Sequence, residues 1–207
     1  MANKIKAVIW DMGGVFLRSE DRSSREELAK EYALSYDQIN ELVFNSDSAQ
    51  QATLGLIDSQ VHWQNTGASL GISGDKLEDF SRRFFQGDAV DYELIDFIRS
   101  LKQRYTTGLL SNAWSDAREM LTKRRPCMDA FHISIFSCEV GLAKPNLEIY
   151  RTIIRLCGIE PAEAIFVDDY PENIEAANAL GIHGIRFLNR QQAIAQVNQL
   201  LGNNGRI

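Results

Sequence analysis

Short, nearly continuous apolar runs, each followed by a helix-period pattern, recur through this 207-residue chain. The runs are Ala7–Trp10, Thr107–Leu110, Ile133–Phe136, Ala164–Val167 and Gly184–Phe187. A strand with one wet face alternates apolar and polar residues, whereas a run without alternation is covered on both faces. Leu94, Ile98, Leu101 and Tyr105 step by four, three and four, which draws one apolar stripe along a helix. Leu147, Tyr150, Ile154 and Cys157 do the same, as do Ile174, Ala177 and Leu180 behind a Pro171 suited to a first helical turn. This alternation predicts an α/β fold with a Rossmann-like, doubly wound parallel sheet.

One interval breaks the pattern. From about Phe16 to Asp88 no segment reads as a strand, but helix signals are frequent. Ser24-x-x-Glu27 and Ser35-x-x-Gln38 both fit a capping box, and Ile39, Leu42 and Val43, then Leu77, Phe80 and Phe84, form apolar faces. We read residues 17–88 as a helical domain inserted after the first strand, and residues 1–16 with 89–207 as the α/β core.

Charge and cysteine usage narrow the partners. With 22 Lys and Arg against 28 Asp and Glu the net charge is −6, which disfavours nucleic acid and anionic membrane. No apolar stretch approaches the ~20 residues of a membrane span. Lys4 and Lys6 precede a short apolar run, but Asp11 interrupts it, so a signal peptide is not expected. Cys127, Cys138 and Cys157 are odd in number and lack Cys-x-x-Cys spacing, so reduced thiols in a cytoplasmic protein are expected.

In an open α/β sheet, ligands bind at the carboxyl ends of the strands. Asp11, then Met12-Gly13-Gly14, follows the first run; Ser111-Asn112 follows the second; Lys144-Pro145 lies a short loop beyond the third; Asp168-Asp169 follows the fourth. Three carboxylates on one edge require a counter-charge. An oxygen-only donor set suits a hard divalent ion, with Mg²⁺ the natural choice, and such an ion usually shares its shell with phosphate. Lys144 and Ser111 would bind the remaining phosphate oxygens, and an Asp beside them is a candidate nucleophile in phosphoryl transfer. Taken singly, Asp11 could bond its own turn, Asp169 or Ser111 could cap a helix, and Lys144 could be a solvated loop charge. Their coincidence at successive strand ends argues against four separate accidents.

Val8-Ile9-Trp10-Asp11-Met12-Gly13-Gly14-Val15, Leu110-Ser111-Asn112, Lys144-Pro145 and Phe166-Val167-Asp168-Asp169 resemble the four motifs of the haloacid dehalogenase-like superfamily. The likeness extends through Asp169-Tyr170-Pro171-Glu172-Asn173, and the helical insert resembles the superfamily's C1 cap. The branch it resembles is the bacterial phosphatases with Asp-x-Gly-Gly-Val in motif one, some of which act on sugar phosphates such as glucose 1-phosphate. The resemblance implies a cytoplasmic, Mg²⁺-dependent phosphatase acting on a small phosphorylated metabolite through an aspartyl-phosphate. Asp11 would be the nucleophile. Ser111, Asn112 and Lys144 would hold the substrate. Asp11, the Gly13 carbonyl and Asp169 would bind the metal, with Asp168 acting through water.

Gly13 departs from the superfamily pattern, which places a second Asp there as general acid/base. Losing such a group typically costs about 10²–10⁴-fold in rate. Either the substrate has a good leaving group, or another residue replaces the acid (Glu20, Asp21 and His62 are the candidates), or only phosphate binding remains. A haloacid dehalogenase also lacks the second Asp, but it needs no metal and does not normally keep the Asp168-Asp169 pair. Bland readings hold elsewhere: His62 and Trp63 read as packing, and no Gly-x-Ser-x-Gly, Gly-x-Gly-x-x-Gly or P-loop pattern occurs.

Overall fold

The computed structural model describes residues 4–202. In chain order the elements are β1 (Ala7–Trp10), β2 (Leu17–Ser19), α1 (Ser23–Glu31), α2 (Tyr36–Asn40, running into a π-helical turn, Glu41–Asn45), α3 (Asp47–Thr53), α4 (Ser59–Leu70) and α5 (Asp75–Phe84). There follow β3 (Asp88–Val90), α6 (Tyr92–Leu101), β4 (Thr106–Ser111), α7 (Ala117–Glu119), β5 (Ile133–Phe136), α8 (Ser137–Val140), α9 (Leu147–Cys157), β6 (Ala164–Asp168), α10 (Pro171–Ala179), β7 (His183–Arg186) and α11 (Arg190–Leu200).

Five strands form a parallel sheet in the order β5-β4-β1-β6-β7. Its central strands are buried on both faces, which is why they read as continuous apolar runs. The pleat divides them. Val8, Trp10, Ile165 and Val167 face one layer with Leu94, Ile98 and Val197, whereas Ile9, Ala164 and Phe166 face the other with Tyr150, Ile153 and Ala177. This is the α/β sheet expected from sequence. On α9 the fully buried face is Ile149, Tyr150, Ile153 and Ile154, so the stripe is rotated from the expected Leu147–Cys157 line, both of whose ends are half-buried. Residues 1–3 and 203–207 of the expected core lie outside the described residues.

The helical block α1–α5 has its own apolar cluster of Leu28, Ala29, Ile39, Val43, Phe80 and Phe84. Arg25 is buried within it, donating to the Phe84 carbonyl at 3.1 Å, Asn40 Oδ1 at 2.9 Å and Asp88 Oδ1 at 3.1 Å. The Ser35–Gln38 capping box is present in both directions, at 3.1 and 2.8 Å. Ser24, by contrast, lies inside α1 and donates to the Arg83 carbonyl at 3.0 Å, so the second expected box does not form. The interval also contains strand after all. β2 and β3 pair antiparallel at the two ends of the block, with Leu17 opposite Val90. Three-residue strands carry too little periodicity to be read, and their partners are far apart in sequence.

Behind this ribbon, Asp91 is nearly buried. Arg18 Nη2 reaches its carboxylate at 2.9 Å and Arg190 Nη1 at 2.6 Å, and its Oδ1 also caps α6 by accepting the Leu94 amide at 3.0 Å. Among the described residues no helix is long and apolar enough to cross a membrane, and the three cysteines are unpaired.

Candidate active site

The sheet order places the site. The chain leaves β1 for β4 and β5 on one side, then crosses to β6 and β7 on the other, so the loops diverge at the carboxyl end of β1. Asp11 stands there. Its amide donates to the Val167 carbonyl at 2.9 Å, which ties the residue after β1 to neighbouring β6. Asp11, Asp168 and Asp169 each offer a carboxylate oxygen, and the three oxygens lie within 4.8 Å of one another.

Lys144 is buried among them, with Nζ 2.7 Å from Asp11 Oδ1 and 2.6 Å from Asp168 Oδ2. Burial works against its ammonium, but the two carboxylates outweigh that and hold its pKa above the ordinary value. Burial also pushes Asp11 up, to about 7, with Lys144 opposing and Asp168 adding to the rise. Asp169 is pushed up to about 6, by burial and then by Asp168. When ionised, three carboxylates against one ammonium leave two negative charges. A divalent cation matches that excess.

The two acids of the pair have different surroundings. Asp168 is fully buried, and its oxygens accept from Lys144 Nζ, from Asn173 Nδ2 at 3.0 Å to each oxygen, and from the Tyr170 amide at 2.8 Å. Three donors occupy it with four hydrogen bonds. Asp169 Oδ1 is buried with no hydrogen-bond partner. A buried, unsatisfied carboxylate oxygen beside two more acids is suited to coordinating a cation, and the all-oxygen donor set fits Mg²⁺.

Gly13 and Gly14 form the turn that approaches this cluster. Gly14 has φ +73°, and a Cβ there would overlap the Asp169 carboxylate. Gly13 is exposed, and a Cβ on it would meet nothing within 4 Å. Ser111 ends β4, buried and two strands from Asp168. Asn112 holds the Lys144 backbone from both sides: its Nδ2 donates to the Lys144 carbonyl at 2.9 Å, and its Oδ1 accepts the Lys144 amide at 2.8 Å. Its carboxamide, expected to touch substrate, is thus occupied in positioning Lys144.

Each of the three candidate replacement acids has a local partner. Glu20 pairs with Arg18 at 3.1 Å, and Asp21 Oδ1 accepts the Ser23 amide at 2.9 Å. His62 is buried in the helical block, with Nδ1 2.8 Å from Ser48 Oγ and its ring 4.4 Å from that of Trp114. Sequence reasoning assigned no role to Asn173 or Trp114. Trp114 lies three residues after Ser111 and packs on Phe44, His62 and Trp63, joining the Ser111 loop to the helical block. Ser59 adds to that joint, its amide donating to Ser115 Oγ at 3.0 Å.

A sequence profile of haloacid dehalogenase-like hydrolases matches residues 5–181. The chain belongs to this family. Over 203 residues it is 26% identical to a sesquiterpene phosphatase of Aspergillus oryzae, covering 98% of this chain and 100% of that protein. It is 24% identical over 185 residues to the D-ribitol-5-phosphate phosphatase of Bacteroides thetaiotaomicron, covering 86% and 89%. A haloacid dehalogenase-like enzyme from the same bacterium, solved as a variant with magnesium and inorganic phosphate, superposes with a TM-score of 0.72 at 25% identity, over 88% of this chain and 93% of that one. The strand-end residues described above thus sit in a hydrolase of the haloacid dehalogenase-like family, within a sheet shared with a magnesium- and phosphate-bound relative.

Proposed function

We propose that this hydrolase is a Mg²⁺-dependent phosphatase that cleaves small phosphomonoesters through an aspartyl-phosphate. The observation that carries the reading is the triad Asp11, Asp168 and Asp169 around buried Lys144, with one Asp169 oxygen left unsatisfied. Asp11, Asp169 and the Gly13 carbonyl would hold Mg²⁺, which would neutralise phosphate charge and orient the phosphoryl group. Asp11 attacks phosphorus, and the phosphorus–oxygen bond to the leaving group breaks; water then cleaves the acyl phosphate and frees Asp11. Lys144 and Ser111 bind the transferring oxygens. Asp168 keeps Lys144 in place, and Asn112 fixes the Lys144 backbone. We further propose that residues 17–88 act as the cap, selecting the leaving group and excluding water.

Gly13 supplies no proton, and Glu20, Asp21 and His62 each bond a neighbour of their own. This supports substrates whose leaving oxygen needs little protonation, an anomeric sugar phosphate among them. The test is hydrolysis of a panel of sugar phosphates and an aryl phosphate, with and without Mg²⁺, by wild type and Asp11→Asn. Turnover that requires Mg²⁺ and disappears in Asp11→Asn is expected; turnover indifferent to that substitution overturns the mechanism. Gly13 also motivates a second reading, a phosphate-binding regulatory protein on the same fold. Binding of Mg²⁺ with phosphate but no turnover across the panel is its signature, and measurable hydrolysis removes it.

A further inference from the structure

The opposite edge of the sheet, where the strands begin, opens on a cavity of about 460 Å³ lined in part by Lys4, Lys6, Lys102, Arg104, Thr106 and His132. It lies behind β1 and β4, whose first residues, Ala7 and Thr106, are in register. Lys6 precedes Asp11 by five residues, which along a strand is about 16 Å at ~3.3 Å per residue. The cavity is therefore separate from the carboxylate site.

Its chemistry is one-sided. A chain of net charge −6 gathers four cations around one concavity whose lining, among the described residues, contains no carboxylate. Lys6 is paired with Glu163 at 2.7 Å. Lys102 donates to the main-chain carbonyl of Asp129, whose carboxylate is held by Arg99 at 2.7 and 2.8 Å. Among the described residues neither Lys4 nor Arg104 has a carboxylate within ion-pair distance.

His132 adds another donor. The Thr107 amide donates to His132 Nδ1 at 3.1 Å, while Thr107 Oγ1 donates to the Ala130 carbonyl at 2.7 Å. An amide N–H can only donate, so Nδ1 is the acceptor and the neutral ring carries its hydrogen on Nε2. The lining thus combines ammonium, guanidinium and imidazole N–H groups without a charged acceptor. Its complement is a compact ligand that only accepts hydrogen bonds and carries several negative charges. Lys4, Lys102 and Arg104, the three lining cations without a carboxylate partner among the described residues, exceed the charge of one phosphate, and a single concavity on an acidic protein does not track a nucleic-acid backbone.

We infer that this cavity is a second anion site, distinct from the catalytic one, that takes a small polyphosphate. Pyrophosphate titrated into the full-length, isotope-labelled chain in EDTA tests this, with backbone amide shifts reporting where it binds. Shifts centred on Lys6, Thr106 and His132 are expected, with affinity falling at least tenfold between 20 and 200 mM NaCl. The double variant Lys102→Gln, Arg104→Gln should weaken binding at least tenfold while leaving aryl phosphate hydrolysis unchanged. Shifts confined to residues 11–15, 111 and 168–169, or affinity indifferent to the double substitution, overturn the proposal. So does tighter binding of a single-stranded oligonucleotide than of pyrophosphate. If the double variant does not fold, the wild-type shift map and its salt dependence decide alone.

Discussion

Gly14 and Asp169 are in contact across the site: the Gly14 backbone, at φ +73°, leaves no room for a Cβ beside the Asp169 carboxylate. Gly14→Ala should therefore act twice. The left-handed backbone alone costs about 1 kcal/mol with a side chain, and the methyl displaces the proposed metal ligand. A disturbed metal environment typically costs about 10–100-fold in metal affinity or activity. A Mg²⁺ titration of activity should show the half-saturating concentration raised by that order; an unchanged value would remove Asp169 from the metal's ligands.

Gly13 presents the opposite case. Its Cβ position is open, so Gly13→Asp can be accommodated without a clash. If only the acid is missing, the variant should hydrolyse alkyl phosphates faster by about 10-fold or more, within the range general acid/base help supplies. The gain should be smaller on an aryl phosphate, whose leaving group needs less protonation. A slower variant on both substrates would mean that the site is adapted to glycine.

Asp168 should matter for stability more than its neighbour does. Its removal leaves Lys144 buried with Asp11 as its one remaining ion-pair partner, and leaves the Asn173 amide without an acceptor. Breaking a buried ion pair from one side costs about 3–5 kcal/mol. Urea unfolding of Asp168→Ala should show a loss of that order, whereas Asp169→Ala, which removes an unsatisfied acid, should be near neutral or stabilising in the absence of metal.

Asp91 predicts a pH dependence. Burial pushes its carboxyl up, but hydrogen bonds from Arg18, the Leu94 amide and Arg190 outweigh burial and hold it below the ordinary 3.8. A carboxyl with a depressed folded-state pKa stabilises the fold above its unfolded value and gives up that contribution as pH falls through the folded value. The stability gap between wild type and Asp91→Asn should be full at pH 7 and narrow below about pH 4. Urea midpoints measured from pH 7 to pH 3 check it, and a gap that does not change with pH contradicts it.

Trp114→Ala tests the joint between the Ser111 loop and the helical block. Because Trp114 is half-buried, the cost should be about 2 kcal/mol, below that of a fully buried tryptophan. KM should rise more than kcat falls, since Asp11 and Lys144 are untouched while the proposed cap loosens. A change in kcat alone would place Trp114 with the chemistry instead.

Much of this was legible along the chain because its physical causes are local. Ala7–Trp10 and Ile133–Phe136 match their strands to the residue, since burial on both faces demands continuous apolar sequence. The Ser35–Gln38 box was legible because both bonds span three residues. The Leu17–Val90 pairing, the rotated face of α9 and the transfer of Ser24 into α1 were not, because each depends on a partner distant in sequence.

The site divides in the same way. Sequence by itself determined the α/β class, the acids and cation at the strand ends, and the glycine where an acid is usual, because each is a matter of residue type at a position in a period. Only the tertiary structure decided what those residues do to one another. It spent Asp168 on Lys144, Asn173 and the Tyr170 amide, left an Asp169 oxygen unsatisfied, turned Asn112 to the Lys144 backbone, and gathered Lys4, Lys6, Lys102 and Arg104 behind the sheet. Hydrogen bonds and burial are relations between atoms that the fold brings together, so residue identity sets which bonds are possible and packing selects those that form.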